Sequence, residues 1–198
     1  MTKIIGLTGG IGSGKTTVAK EFSSFDIPVY ITDQEAKNLM QTDLVLGQIR
    51  EVFSDAVFEN GLLQRDKLSE IVFNDPIKLK QLNNIVHPAV NKHFKKWLQE
   101  HQNYPFVIYE SAILFESGSY TSCDYVINVV APLEMRIKRV MERDNTTREK
   151  VLERIKNQWN DEEKSSKSDF IIDNSTAKGR KLEIVKILKI LGINQIIS

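Results

Sequence analysis

Residues Gly6 to Thr17 read GLTGGIGSGKTT, and within them Gly9, Gly14, Lys15 and Thr16 fit the spacing G-x-x-x-x-G-K-[ST]. The run before it, Lys3-Ile4-Ile5-Gly6-Leu7-Thr8, is short and mostly apolar, as a buried strand is. After it, Val18, Phe22 and Phe25 fall at four- and three-residue steps, the spacing of one helical face. The glycines therefore lie between a strand and a helix. There the backbone can curl until its N–H groups point inward at an anion. The helix N-terminus adds partial positive charge. Lys15 is placed to reach the β- and γ-phosphates of a nucleotide, and Thr16 to offer its hydroxyl to Mg²⁺. The loop Gly9, Gly10, Ile11, Gly12, Ser13, Gly14, Lys15, Thr16 and Thr17 is thus the expected cradle of a nucleoside triphosphate.

Four more strand-like runs follow: Pro28-Val29-Tyr30-Ile31, Phe106-Val107-Ile108-Tyr109, Tyr125 to Val130, and Phe170-Ile171-Ile172. Helical stretches separate them. This order predicts an α/β fold of the P-loop nucleoside triphosphate hydrolase class, a parallel five-stranded sheet with helices on both faces. Ligands on such sheets collect at the carboxyl ends of the strands. The P-loop, Asp33 and Glu110 all follow strand-like runs at that end.

The second and third runs are about seventy residues apart, far more than a crossover needs. The gap reads as a helical insertion over residues 33–101. Leu46, Ile49 and Phe53 share a face of one helix, and Asp66–Phe73 is a second. Asp75 and Pro76 cap and start a third, with Leu79, Leu82 and Val86 on one face. Pro88 is read as the start of a fourth, carrying Val90, Phe94, Trp97 and Leu98. Residues 55–64 form a turn-bearing connection. The core is then residues 1–32, 102–135 and 169–198, with a charged cover over 136–168. Between Arg136 and Lys156 stand eight basic residues against four acids, and Arg136, Arg139 and Arg143 share a helical face. The tail from Gly179 to Ile197, with Leu182, Val185, Ile187, Leu188 and Leu191, reads as a packed helix that Gly192 stops.

Net charge is +1 over 198 residues, so no overall field favours nucleic acid or an anionic membrane. No apolar run approaches a membrane span. Cys123 is the one cysteine, which suits a cytoplasmic protein. The first strand begins too soon to leave room for a cleaved signal peptide. A monomer or a weak homo-oligomer is expected.

Phosphoryl transfer is chiefly positioning and charge stabilisation, and a kinase must also exclude water. On charge count alone the Arg-rich stretch reads first as a solvated helix with surface ion pairs; beside a P-loop it reads as a movable cover. Asp33 stands where a carboxylate can take an acceptor's proton, and equally where it caps a helix over Gln34–Met40. Glu110 is either a strand-end carboxylate or an acid near Mg²⁺. His87, before Pro88, is a polar group at a helix start or an acceptor contact.

Several blocks resemble the dephospho-coenzyme A kinase family. GLTGGIGSGKTTVA looks like its opening, and NGLLQRDKLSEIVFNDPIKLKQLNNIVHPAV like its middle, with Gly61, Leu63, Arg65, Val72-Phe73 and His87-Pro88 in place. LFESG (Leu114 to Gly118), RIKNQ and SDFIIDN are similar to three further motifs. The resemblance implies ATP-dependent phosphorylation of the ribose 3′-hydroxyl of dephospho-coenzyme A, the last step of coenzyme A synthesis. It implies a nucleotide core, a helical acceptor-binding domain and a lid. Lys15, Asp33 and Arg139 match catalytic positions, with Asp33 as the base and Arg139 on the lid. Asn174 matches a position near the adenine of ATP, and Arg65 and His87 fall in the acceptor-binding block. Three positions depart from the family pattern. Ile31-Thr32-Asp33 replaces Asp-Ala-Asp, Ala112-Ile113-Leu114 replaces Pro-Leu-Leu, and Arg136 stands where many relatives have Gln.

Overall fold

In the computed structural model, which describes residues 1–193, the chain opens with β1 (Lys3–Thr8), α1 (Lys15–Ser23) and β2 (Val29–Ile31). Then come α2 (Thr32–Leu39), α3 (Asp43–Phe53), the short strands β3 (Phe58–Glu59) and β4 (Leu62–Leu63), α4 (Arg65–Asn74) and α5 (Pro76–Glu100). It continues with β5 (Phe106–Glu110), β6 (Tyr125–Val130), α6 (Leu133–Asp144), α7 (Arg148–Lys156), α8 (Asp161–Ser166), β7 (Phe170–Asp173) and α9 (Ala177–Ile190). Residues 1–31 with the described residues from His101 onward make one compact unit, and Thr32–Glu100 makes another.

In the first unit, β2-β5-β1-β6-β7 form one sheet in that order, and every neighbouring pair is parallel. Ile5, Leu7, Ile127, Val129 and Ile172 of the strands pack with Val18, Ala19 and Phe22 of α1 and with Ile184, Ile187 and Leu188 of α9. Successive strand residues face opposite sides. Val126 accordingly leaves this core and packs with Leu114 and Phe115. Both faces of the sheet are therefore covered, as a parallel sheet requires. β1 lies between β5 and β6, so the loop after it opens where the winding of the sheet changes direction.

The tail differs from its reading. Leu182 is 54% exposed, while Ile184, buried, takes its place. Two residues are about 200° of helical rotation, so the two lie across the helix from each other. Gly192 ends α9 with φ +79, and positions 194–197 of the expected helix lie outside the described residues.

In the second unit, Val45, Ile49, Phe53, Val57, Phe58 and Leu68 form the core, with Leu82, Ile85 and Ala89 packed against it. Asn60 (φ 51) and Gly61 (φ 78) turn the β3–β4 hairpin. Two adjacent left-handed residues are what a two-residue Asn-Gly turn needs.

Pro88 does not start a helix. It lies inside α5, which runs unbroken for 25 residues. A proline inside a helix costs roughly 3 kcal/mol. Here the apolar face outweighs that cost: Leu82 and Ile85 before Pro88 and Ala89 after it press on one cluster, and Val86, Val90 and Phe94 are buried at steps of four. His87 is therefore a mid-helix residue. It is exposed.

Candidate active site

Gly14 is the N-cap of α1 at φ 92, and no side chain caps that helix. The first N–H groups of a helix without a side-chain cap suit an anion. Gly12 and Gly14 are demanded by close approach as well as by φ. A Cβ at Gly12 (φ +80) would meet the Arg136 carbonyl, and one at Gly14 (φ +92) the Asn174 amide.

Those neighbours hold the loop by its carbonyls. Lys15 Nζ donates to Gly9 O at 2.9 Å, and Arg136 Nε to Ile11 O at 2.9 Å. Arg139 Nη1 donates to Gly12 O at 3.4 Å and Ser13 O at 3.3 Å. Asn174 Nδ2 donates to Ser13 O at 2.7 Å. In a trans peptide, C=O and the following N–H point in opposite directions. Tying the carbonyls of Ile11 and Ser13 outward aims the N–H groups of Gly12 and Gly14 the other way, into the loop. Ser13 Oγ is buried and has no hydrogen-bond partner among the described residues. An anion in the loop answers that hydroxyl, so the residues fit a triphosphate.

Asn174, buried, is itself bridged. Its carbonyl accepts from Arg139 Nη2 at 3.0 Å and its Oδ1 from Arg180 Nη1 at 2.7 Å. Arg180 in turn pairs with Glu21 of α1 at 2.6 Å. The structure thus brings together Gly9–Thr17, Arg139 and Asn174. Arg180, at the start of α9, was missed because nothing in its local sequence announces a role.

Glu110 ends β5, is 3% exposed, and stands in register with Leu7 of β1 and Ile31 of β2. Thr16 is exposed in the first turn of α1. These are hard oxygen donors, one hydroxyl and one carboxylate. Mg²⁺ bound with a nucleotide takes most of its shell from phosphates and water. The donor set fits that ion.

The second unit carries the remaining candidates. α2 begins at Thr32, so Asp33 is an acid of the first turn and not the cap of a helix over 34–40. Negative charge there is favoured by the helix dipole. Asp33 is exposed. Arg65, the first residue of α4, donates from Nη2 to Lys37 O at 3.0 Å, which holds the last turn of the helix that carries Asp33. His93 of α5 lies 3.9 Å from Glu35 of α2.

The segment 136–168 makes contacts that the sequence does not announce. Gln158, Asp161 and Lys164 are tied to the P-loop, to Arg136 or to residues 112–116. RIKNQ ends on Gln158, but a motif does not say which backbone group its last residue meets.

The dephospho-CoA kinase family model matches residues 3–179. A dephospho-CoA kinase from Bacteroides fragilis is 38% identical over 189 residues, covering 95% of this chain and 91% of its own. A crystal structure of a Thermus thermophilus protein superposes with TM-score 0.88 at 34% identity, covering 96% of this chain and 97% of that one. A dephospho-CoA kinase from Campylobacter jejuni superposes with TM-score 0.71 at 28% identity, covering 98% and 100%. With a phosphate loop of this build and likeness across nearly its whole length, the chain belongs to the dephospho-CoA kinase family.

Proposed function

We propose that the protein transfers the γ-phosphoryl group of ATP to the ribose 3′-hydroxyl of dephospho-coenzyme A, giving coenzyme A and ADP. The observation that carries this reading is the P-loop held open by its carbonyls, in a chain of this family. The acceptor oxygen attacks the γ-phosphorus in line. The bond from that phosphorus to the β–γ bridging oxygen breaks, and ADP leaves with the electron pair. Asp33 takes the proton of the acceptor hydroxyl.

The other residues bind and orient. The backbone of the Gly9–Thr17 loop, apart from the Ile11 N–H that Gln158 holds, binds the phosphates. Lys15 leaves Gly9 O for the β- and γ-phosphate oxygens. Arg139 and Asn174 hold the loop, Asn174 near the adenine of ATP, and Arg139 adds positive charge where the transition state needs it. Arg65 and His87 serve the acceptor. Thr16 and Glu110 would hold Mg²⁺, which would supply positive charge to the phosphate oxygens of the bound nucleotide. In this reading the charged segment 136–168 is the lid, anchored through Arg136, Gln158, Asp161 and Lys164. We place the protein in the cytoplasm as a monomer or weak homo-oligomer.

The experiment is ADP release with a panel of acceptors: dephospho-coenzyme A, nucleoside monophosphates and shikimate. Release with dephospho-coenzyme A alone is the expected result. Release with another acceptor alone would keep a kinase and overturn the substrate.

A further inference from the structure

One peptide of the P-loop is gripped from both sides. Ile11 N–H donates to Gln158 Oε1 at 2.8 Å, and Ile11 O accepts from Arg136 Nε at 2.9 Å. Both grips are backed. Arg136 is 5% exposed and its Nη1 pairs with Asp161 Oδ2 at 2.6 Å. Gln158 Nε2 donates to Ala112 O at 3.4 Å, so one orientation of its amide serves both bonds. The same carbonyl accepts from Lys164 Nζ at 2.9 Å. Lys164, fully buried, pairs with Glu116 at 2.9 Å, and Glu116 also accepts from Trp159 N–H at 2.9 Å. The stretch from Gln158 to Lys164 therefore joins the tip of the P-loop to residues 112–116, just beyond Glu110. The strands that these two loops follow, β1 and β5, are neighbours in the sheet.

A phosphate cradle binds well when its N–H groups are already aimed. A loop that must be ordered on binding loses affinity to that ordering. Ile11 N–H is committed to Gln158, so it is not a phosphate donor while that bond stands. What the grip supplies is direction. Holding Ile11 O on Arg136 sets the direction of the next N–H, that of Gly12.

We propose that Gln158 and Arg136 are positioning residues for the nucleotide: together they fix the Ile11 peptide so that the P-loop is formed before ATP arrives, and Gln158, through Ala112, keeps it in register with the segment after Glu110. The proposal rests on the P-loop as the ATP site and not on the identity of the acceptor. Its test is Gln158→Leu, similar in size but without either bond, beside Arg136→Lys, which keeps a charge near Asp161 and loses Nε–H. Three quantities are read: ATP affinity by calorimetry, KM for each substrate, and melting temperature. The expected result is ATP affinity weakened about three- to tenfold in Gln158→Leu, the worth of one or two neutral hydrogen bonds, and at least as much in Arg136→Lys, whose lost bond is charge-assisted. KM for ATP rises with it, while KM for the acceptor and the melting temperature hold. Unchanged ATP affinity in folded variants would overturn the proposal. So would a parallel loss for both substrates with a lowered melting temperature, since that is what general loosening does. If ATP affinity falls selectively but another acceptor is phosphorylated, the positioning role stands and the acceptor assignment falls.

Discussion

Asp33 is exposed in the first turn of a helix that Arg65 holds at its far end. A base in that place needs only its charge and its reach. Asp33→Asn keeps the shape and removes the charge. It is expected to lower kcat by at least about 10²-fold with ATP affinity intact, the usual worth of a general base. Steady-state rates beside calorimetric ATP binding check this, and an unchanged kcat would remove Asp33 from the role. Cys123 gives a prediction about pH. Burial first, and the Asp124 charge second, push its thiol from 9.0 up to about 12. The folded protein therefore holds the proton to higher pH than the unfolded chain. Its contribution to stability is whole below about pH 9 and is lost as pH rises toward 12. Alkylation by iodoacetamide at pH 8 is expected to be far slower in the native protein than in urea; equal rates would contradict this. At this scale the sequence is legible where chemistry is local. The glycines and Lys15 declare themselves beside a strand end. Arg136 and Gln158 do not, because their partner Ile11 lies 125 and 147 positions away.

α5 shows how an element can be misread from sound local chemistry. Proline favours the first turn of a helix, so Pro88 reads as a start. What decides is a face that continues on either side of it, and that is tertiary information: the residues packed against Leu82, Ile85 and Ala89 come from α3, the turn after it, β3 and α4. The continuous helix makes a testable claim. Pro88→Ala restores a donor to the helix interior, and the protein is expected to gain about 1 kcal/mol or more once lost unfolded-state stiffness is subtracted. Chemical denaturation measures it. A neutral or destabilising result is what a helix start at Pro88 would give. The sheet was easier to read. Its strands are short β-branched runs set off by helices, and burial on both faces leaves a continuous apolar signature. The packed face of α9 was misassigned at Leu182 because the tail is apolar at too many positions for periodicity to choose one face.

At the scale of the whole molecule, the gap between β2 and β5 reads as a helical insertion over 33–101, and Thr32–Glu100 is one of two compact units of the chain. Length of connection is a strong signal because a parallel crossover needs far fewer residues. The cover was less legible. Its charge was visible, but Lys164, fully buried against Glu116, looks in sequence like one more surface lysine. The two units carry different parts of the proposed chemistry: the nucleotide loop in one, Asp33, Arg65 and His87 in the other. The account stands on that chemistry ending in one product. The most direct measurement is to incubate the protein with ATP, Mg²⁺ and dephospho-coenzyme A, and to read the mass and the ³¹P spectrum of the product. The account predicts a species one phosphate heavier that carries the new group as a monoester on the ribose 3′-oxygen, formed in step with ADP. Dephospho-coenzyme A recovered unchanged while ATP is consumed, or phosphate placed on another oxygen, would contradict it.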